Sequence, residues 1–176
     1  MTHPAHTFDP SVLREYDIRG LVGENLSDAD ALAIGCAFGT IVKRDANGEQ
    51  ATVCVAYDGR ETSPSYAANL IKGLASTGVN VEDMGEVPRP MLYFAVKDRN
   101  AAGGIMITGS HNPSEYNGFK MTLQAKPFFG DEITLLGNIA KAGDFEQGEG
   151  TVTEVDIKDI YVARLLKDLK LSLIHI

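Results

Sequence analysis

Short apolar runs alternating with amphipathic helical stretches predict a three-layer α/β/α domain, its mostly parallel or mixed sheet covered by helices on both faces. Two observations carry most of this expectation. Residues 52–57 (T-V-C-V-A-Y) and 102–108 (A-G-G-I-M-I-T) are near-continuous apolar runs suited to strands buried from both sides. Residues 27–44, 63–76 and 131–142 read as helices. A chain of 176 residues, 44% apolar and 23% charged, has room for one good-sized core without disulfides.

The first helix opens at Ser27, a good cap, with Asp28 and Asp30 in its first turn. Leu32, Ile34, Phe38, Ile41 and Val42 recur at mostly helical spacing, and Lys43 and Arg44 sit where a helix C-terminus favours cations. Asn47-Gly48 turns the chain toward the strand at 52–57. Ser63 is read as the cap of the second helix, with Pro64 at its first position and Gly78 as its stop. Residues 80–84 predict a strand, Pro88-Arg89-Pro90 a break, and residues 91–97 a brief helix. The run 102–108 predicts a central strand ending in a loop at 109–117, and 118–123 the returning strand. The helix at 131–142 follows. Gly- and acid-rich residues 143–150 predict a boundary or exposed turn, then a β-branched stretch at 151–155 and a helix from about Ile157. The expected division is a domain over 1–150, a linker and start of a second domain over 151–170, and a tail at 171–176.

Sixteen basic residues against twenty-four acidic give a net charge of −8. Such a balance disfavours nucleic acid and anionic membrane as partners, so any phosphate must be held locally. Cys36 and Cys54 lie in apolar contexts without CxxC spacing, and read as small buried hydrophobes of a reducing compartment. The first eleven residues lack the apolar core of a secretory signal, and no apolar run has bilayer-spanning length. A cytoplasmic setting is expected.

The chemistry gathers in residues 108–120, T-G-S-H-N-P-S-E-Y-N-G-F-K. A hydroxyl (Ser110), an imidazole (His111), amides and a lysine (Lys120) lie just beyond a buried strand, and ligands of α/β sheets collect at the carboxyl ends of strands. Gly109 permits close backbone approach and Pro113 limits the loop's freedom, so Ser110 can be presented rigidly. His111 moves a proton near neutral pH, and Lys120 supplies fixed charge. The same residue types also make plain turns, with Ser110 and Asn112 bonding only their own backbone. A Ser-His hydrolase is disfavoured: Ser110 and His111 are sequence neighbours, and no G-x-S-x-G elbow is present.

Thr108-Gly-Ser-His-Asn-Pro with Tyr116-Asn-Gly-Phe-Lys120 resembles the active-site serine loop of the α-D-phosphohexomutases, in particular the bacterial phosphomannomutase/phosphoglucomutase branch. Three further motifs stand in the family's order. Arg14-Glu-Tyr-Asp-Ile-Arg-Gly20 is similar to its Y-D-I-R-G element. Ala56-Tyr-Asp-Gly-Arg-Glu-Thr-Ser-Pro64 is similar to G-x-D-x-R-x-S, with Ala-Tyr where many members have Gly-x. Val87-Pro-Arg-Pro-Met91 is similar to V-P-T-P, Arg89 replacing Thr.

The resemblance implies that Ser110 carries a phosphoryl group between hexose phosphates, of mannose or glucose, by way of a hexose 1,6-bisphosphate. Phosphoserine adds about −1.5 to −2 charge, which Arg19 and Lys120 would offset. Mg²⁺, the family's ion, would contact Ser110 through its phosphate. His111 is the candidate for proton transfer or for orienting the phosphate, and Lys120 acts electrostatically in preference to acting as a base. Tyr16, Arg19 and Asn112 are candidate phosphate or substrate contacts, a buried Arg19–Asp17 pair being the structural alternative. Asp58, Arg60 and Ser63 are assigned to bracing and capping. A non-catalytic phosphosugar- or phosphate-binding domain is the competing function.

The resemblance covers the first of the family's four domains. Its D-G-D-x-D-R, G-E-x-S-G and R-x-S-x-T-x-P loops do not occur in these 176 residues, so the chain alone is expected to lack mutase turnover. Leu-Ser-Leu-Ile-His-Ile at 171–176 resembles the translation of a sequencing adapter, and is expected to be non-native.

Overall fold

The computed structural model describes residues 3–168. Strands β1 (Ile18–Leu21), β2 (Thr52–Tyr57), β3 (Asn80–Glu86), β4 (Gly103–Ile107), β5 (Tyr116–Leu123), β6 (Lys126–Pro127) and β7 (Val152–Glu154) are joined with helices α1 (Asp28–Asp45), α2 (Ser63–Ser76), α3 (Arg89–Asp98), α4 (Asp131–Ala142) and α5 (Lys158–Asp168). The sheet runs β1-β5-β4-β2-β3-β7, with β6 paired to β5 off this path. Strands β4, β2, β3 and β7 are parallel neighbours, whereas β5 runs antiparallel to both β4 and β1. The expected mixed sheet is therefore present, with the chemistry-bearing loop as the β4–β5 hairpin connection.

Side chains alternate along the central strands and so feed two cores. Val53, Val55, Ile105 and Ile107 join Ile34, Phe38, Leu70 and Leu136 of α1, α2 and α4 on one face. Cys54, Ala56 and Met106 meet Leu92, Val96 and Ile157 on the other. Two glycines set how closely α1 and α2 cross. A β-carbon on Gly35 would overlap the Leu70 carbonyl, and one on Gly73 the Leu32 carbonyl. Each helix thus accepts the other's backbone.

Ser27 caps α1 as expected: the Asp30 carboxylate accepts hydrogen bonds from its backbone N at 2.8 Å and its Oγ at 2.6 Å. Ser63 does not cap α2. It is the helix's first residue, Thr62 holds the cap position, and the Ser63 hydroxyl donates to Asp58 instead. Helix α3 starts two residues before the expected Met91, because Pro90 fits the first turn, where no amide hydrogen is needed.

Cys36 and Cys54 are free and buried. Burial, with the Glu82 carboxylate beside it, pushes the Cys54 thiol up to about 12. Past the expected boundary at Gly150, β7 adds a parallel strand to β3, and Ile157 enters the second core. The tail at 171–176 lies outside the described residues. No helix among those residues is long and apolar enough to cross a membrane.

Candidate active site

The β4–β5 loop is shaped by one arginine. From the β2–α2 turn, Arg60 donates to four carbonyls of the loop: Pro113 at 2.7 Å, Tyr116 at 2.9 Å, Asn112 at 2.7 Å and Ser110 at 3.3 Å. A planar, five-donor guanidinium can serve several acceptors at once, which an ammonium cannot match in geometry. Its Nε also lies 3.3 Å from Asp58 Oδ2. The other Asp58 oxygen accepts from Ser63 Oγ at 2.8 Å, and buried Asn117 donates to the same Ser63 Oγ at 3.0 Å. This chain of bonds ties the start of β5 to the start of α2. Gly109 lies against the Arg60 guanidinium so closely that a β-carbon there would overlap it. Asp58 and Arg60 brace the loop, as expected of them, and Ser63 braces it too.

The Gly109 carbonyl is held from the other side. It accepts from Arg19 Nη1 and from Asn112, through the backbone N at 3.1 Å and the side-chain Nδ2 at 3.0 Å. Clamped between Arg60 and Arg19, the chain carries Ser110 in the left-handed region at φ 55°. A serine in that region costs about 1–2 kcal/mol and persists only where its surroundings impose it. The Ser110 amide donates to Thr108 Oγ1 at 2.9 Å, while its hydroxyl has no hydrogen-bond partner among the described residues. Ser110 is thus fixed in backbone and free in side chain.

Beneath the loop, β1 and β5 assemble a charged trio. Their register pairs Ile18 with Phe119 and Arg19 with Gly118, which brings Asp17 opposite Lys120. Asp17 Oδ2 accepts from Arg19 Nη2 at 2.6 Å and from Lys120 Nζ at 2.8 Å. Burial alone would raise the Asp17 carboxyl, but the hydrogen bonds and charges of Arg19 and Lys120 outweigh it and hold it below the ordinary value. Two cations share one anion, so one positive charge is left facing the loop that bears Ser110. Arg19 is 3% exposed; it makes the pair with Asp17 that was its structural alternative, and it also touches the carbonyl of the residue next to Ser110.

The other candidates stand at different distances from this centre. Asn112 turns its amide inward onto the Gly109 carbonyl. His111 is exposed, and among the described residues nothing hydrogen-bonds it, so no Ser110–His111 relay is assembled. Tyr16 is 74% exposed and stacks on Phe129, ring centroids 6.2 Å apart. Among the described residues no three His, Cys, Asp or Glu side chains gather to hold a metal ion. A phosphorylated Ser110 would offer Mg²⁺ oxygens from one group, short of the octahedral shell the ion demands. The described residues do not make a Mg²⁺ site. Asp17, as the joint between Arg19 and Lys120, is the member of the site that the sequence left unassigned beyond its pairing with Arg19. The signal that would have found it is the β1–β5 register.

A family model described as phosphoglucomutase/phosphomannomutase, alpha/beta/alpha domain I, matches residues 11–147. The phosphomannomutase/phosphoglucomutase of Pseudomonas putida is 41% identical over 162 residues, covering 92% of this chain and 34% of that protein. The phosphoglucomutase of Neisseria meningitidis serogroup B is 39% identical over 163 residues, covering 92% of this chain and 35% of its own. The crystal structure of a phosphoglucomutase/phosphomannomutase family protein from Burkholderia thailandensis superposes with a TM-score of 0.88 at 40% identity, covering 94% of this chain and 37% of that one. The chain spans about a third of the length of the curated relatives it matches. On its motifs, its sheet and these likenesses together, the chain belongs to the phosphoglucomutase/phosphomannomutase family, with the family's alpha/beta/alpha domain I at residues 11–147.

Proposed function

We propose that this chain is the phosphoryl-carrying part of a phosphohexomutase interconverting hexose 1-phosphate and hexose 6-phosphate, of mannose, glucose or both. The observation that carries the reading is the unpartnered Ser110 hydroxyl, held at φ 55° beside the Asp17–Arg19–Lys120 trio. In the forward half-reaction a sugar hydroxyl oxygen bonds the phosphorus of phosphoserine 110 as the bond from phosphorus to Ser110 Oγ breaks. The sugar hydroxyl gives up its proton, the departing Ser110 oxygen takes one up, and a hexose 1,6-bisphosphate results. In the second half-reaction Ser110 Oγ attacks the other phosphate of that bisphosphate, releasing the isomeric monophosphate. Such transfers need positioning and charge neutralisation more than covalent help. Arg60 and Gly109 position the oxygen, and Arg19 with Lys120 offsets the charge. His111, exposed to solvent, takes the proton or orients the phosphate; Tyr16 and Asn112 contact phosphate or substrate. Lys120 acts through its charge, since its ammonium already donates to Asp17.

The reading is tested by incubating the chain with glucose 1,6-bisphosphate and mapping phosphopeptides. One phosphoryl group on Ser110, absent in Ser110→Ala, is expected. Binding of the bisphosphate with no label, both in the chain and in a chimera where residues 11–147 replace domain I of the Pseudomonas putida relative, would point to a binding domain instead. The chain alone is expected to show no turnover of hexose 1-phosphate with bisphosphate and Mg²⁺, and clear turnover would refute that part.

A further inference from the structure

The sequence holds two Asn-Gly pairs, Asn47-Gly48 and Asn117-Gly118. Asparagine before glycine is chemically labile, because no side chain on the following residue shields the asparagine amide carbon from the next backbone nitrogen. Elsewhere that shield is present or the attacking N–H is missing. Asn25, Asn69, Asn80 and Asn138 precede leucine, valine or isoleucine, and Asn112 precedes Pro113, which has no amide hydrogen.

The fold treats the two pairs differently. Asn117 is 0% exposed, and its Nδ2 donates to Thr62 Oγ1 and to Ser63 Oγ, both at 3.0 Å. The Gly118 amide donates to Asn117 Oδ1 at 2.8 Å, and both residues lie in β5, in register with Gly20 and Arg19 of β1. Turning the Asn117 amide so that its carbon meets the Gly118 nitrogen would break these bonds inside the sheet. Asn47 and Gly48 instead form an exposed turn between α1 and β2. Asn47 stands at φ 50°, a conformation asparagine tolerates, and its Nδ2 makes a single exposed bond to the Asp45 carbonyl at 3.1 Å. Among the described residues Gly48 makes no hydrogen bond, and a β-carbon built on it meets nothing within 4 Å. Its nitrogen has no acceptor holding its proton, and the turn has room to swing onto the Asn47 side chain.

We propose that Asn47 is a site of spontaneous deamidation, selected over Asn117 by the fold. The Gly48 nitrogen bonds Asn47 Cγ, its proton passes to Nδ2, the Cγ–Nδ2 bond breaks and ammonia leaves. Water then opens the resulting succinimide at either carbonyl, giving aspartate or isoaspartate. Either product places a carboxylate just past the carbonyl end of α1, in a stretch that already holds Asp45 and Glu49, where a negative charge is unfavourable. Isoaspartate also routes the backbone through the side-chain methylene and so lengthens the connection into β2. The turn leads into the N-terminal end of β2, whereas Ser110 follows the C-terminal end of its parallel neighbour β4, so the two lie at opposite ends of the sheet.

The test is to incubate the folded chain and the same chain in guanidinium chloride at neutral pH, and to follow both Asn-Gly peptides by mass spectrometry. In denaturant the two pairs should convert at similar rates. In the folded chain Asn117 should convert about tenfold or more slowly than Asn47, the factor set by one buried hydrogen bond that must break first. Asn47→Gln should abolish the acidic form that accumulates on anion exchange, and Asn47→Asp should reproduce its charge while leaving Ser110 labelling by bisphosphate unchanged. Equal rates at the two pairs in the folded chain, an Asn47 that converts only in denaturant, or an acidic form that persists in Asn47→Gln would each overturn the proposal.

Discussion

Asp17 is the residue on which the charge arrangement turns. It is almost buried, and the guanidinium of Arg19 beside it has a side chain only 4% exposed. Removing one partner of such a buried arrangement leaves a charge without compensation, which typically costs about 3–5 kcal/mol. Asp17→Asn is therefore expected to lower stability at pH 7 by about 3 kcal/mol in urea titrations. The pH dependence has a definite sign. Because the folded-state carboxyl is depressed, its stabilisation is complete above the unfolded value of about 3.9 and drains as the pH falls through the folded value. The gap between wild type and Asp17→Asn should be full at neutral pH and close below about pH 4. A gap that stays constant into strong acid would show that Asp17 is not the ionised joint. Ser110 makes the opposite trade. Its left-handed backbone is a cost that glycine would not bear, and no protein group relies on its hydroxyl among the described residues. Ser110→Gly is expected to gain up to about 1 kcal/mol of stability and to lose every trace of phosphoryl acceptance. A destabilised glycine variant would mean that the loop is not strained there.

At the scale of elements, the β4–β5 loop owes its shape to an arginine that comes from a different segment. Arg60→Lys keeps the charge but cannot reach four carbonyls in one plane, and Arg60→Ala keeps neither. Both should raise amide exchange over residues 109–116 and slow Ser110 labelling by bisphosphate, with alanine costing about 2 kcal/mol or more. Equal exchange in all three proteins would remove Arg60 from its bracing role. Helices and central strands were largely legible from sequence, since β2, α2 and α4 declare themselves through unbroken apolar runs, Pro64 and helical spacing. Strand β1 was not. Its four residues I-R-G-L hold an arginine committed to the site and a glycine, so no alternation survives to mark it. With β1 unread, its pairing to β5 was unread too, and that pairing is what carries Asp17 to Lys120. The two-residue β6 is too short to leave a pattern. Ser63 misled for a related reason. Ser-Pro at a helix start has the composition of a cap, but a partly buried partner, Asp58, offered its hydroxyl a charged acceptor at 2.8 Å.

At the scale of the whole molecule, composition placed a boundary near Gly150, and the matched family segment ends at residue 147, yet the sheet runs past both. Strand β7 pairs Val152, Thr153 and Glu154 with Val81, Glu82 and Asp83, covering an edge of β3 that would otherwise expose unpaired amides and carbonyls. Beyond it, Ile157 is 1% exposed in the second core, and the Tyr161 ring meets Phe94 edge-on at 5.4 Å. The face of the sheet that carries α3 is served by a much smaller apolar cluster than the face that carries α1, α2 and α4. Loss of a few contacts therefore weighs more heavily there. Burying Ile157 is worth about 2 kcal/mol, the ring pair about 1 kcal/mol, and the three strand pairs a few tenths each. A chain ended at Gly150 is accordingly expected to lose about 3–5 kcal/mol, and to lose it unevenly: amide protection should fall first in α3 and β3, while α1 and α2 keep theirs. Uniform loss of protection across both faces would show instead that the two cores unfold as one unit, and that residues 151–161 support the whole sheet and not one side of it.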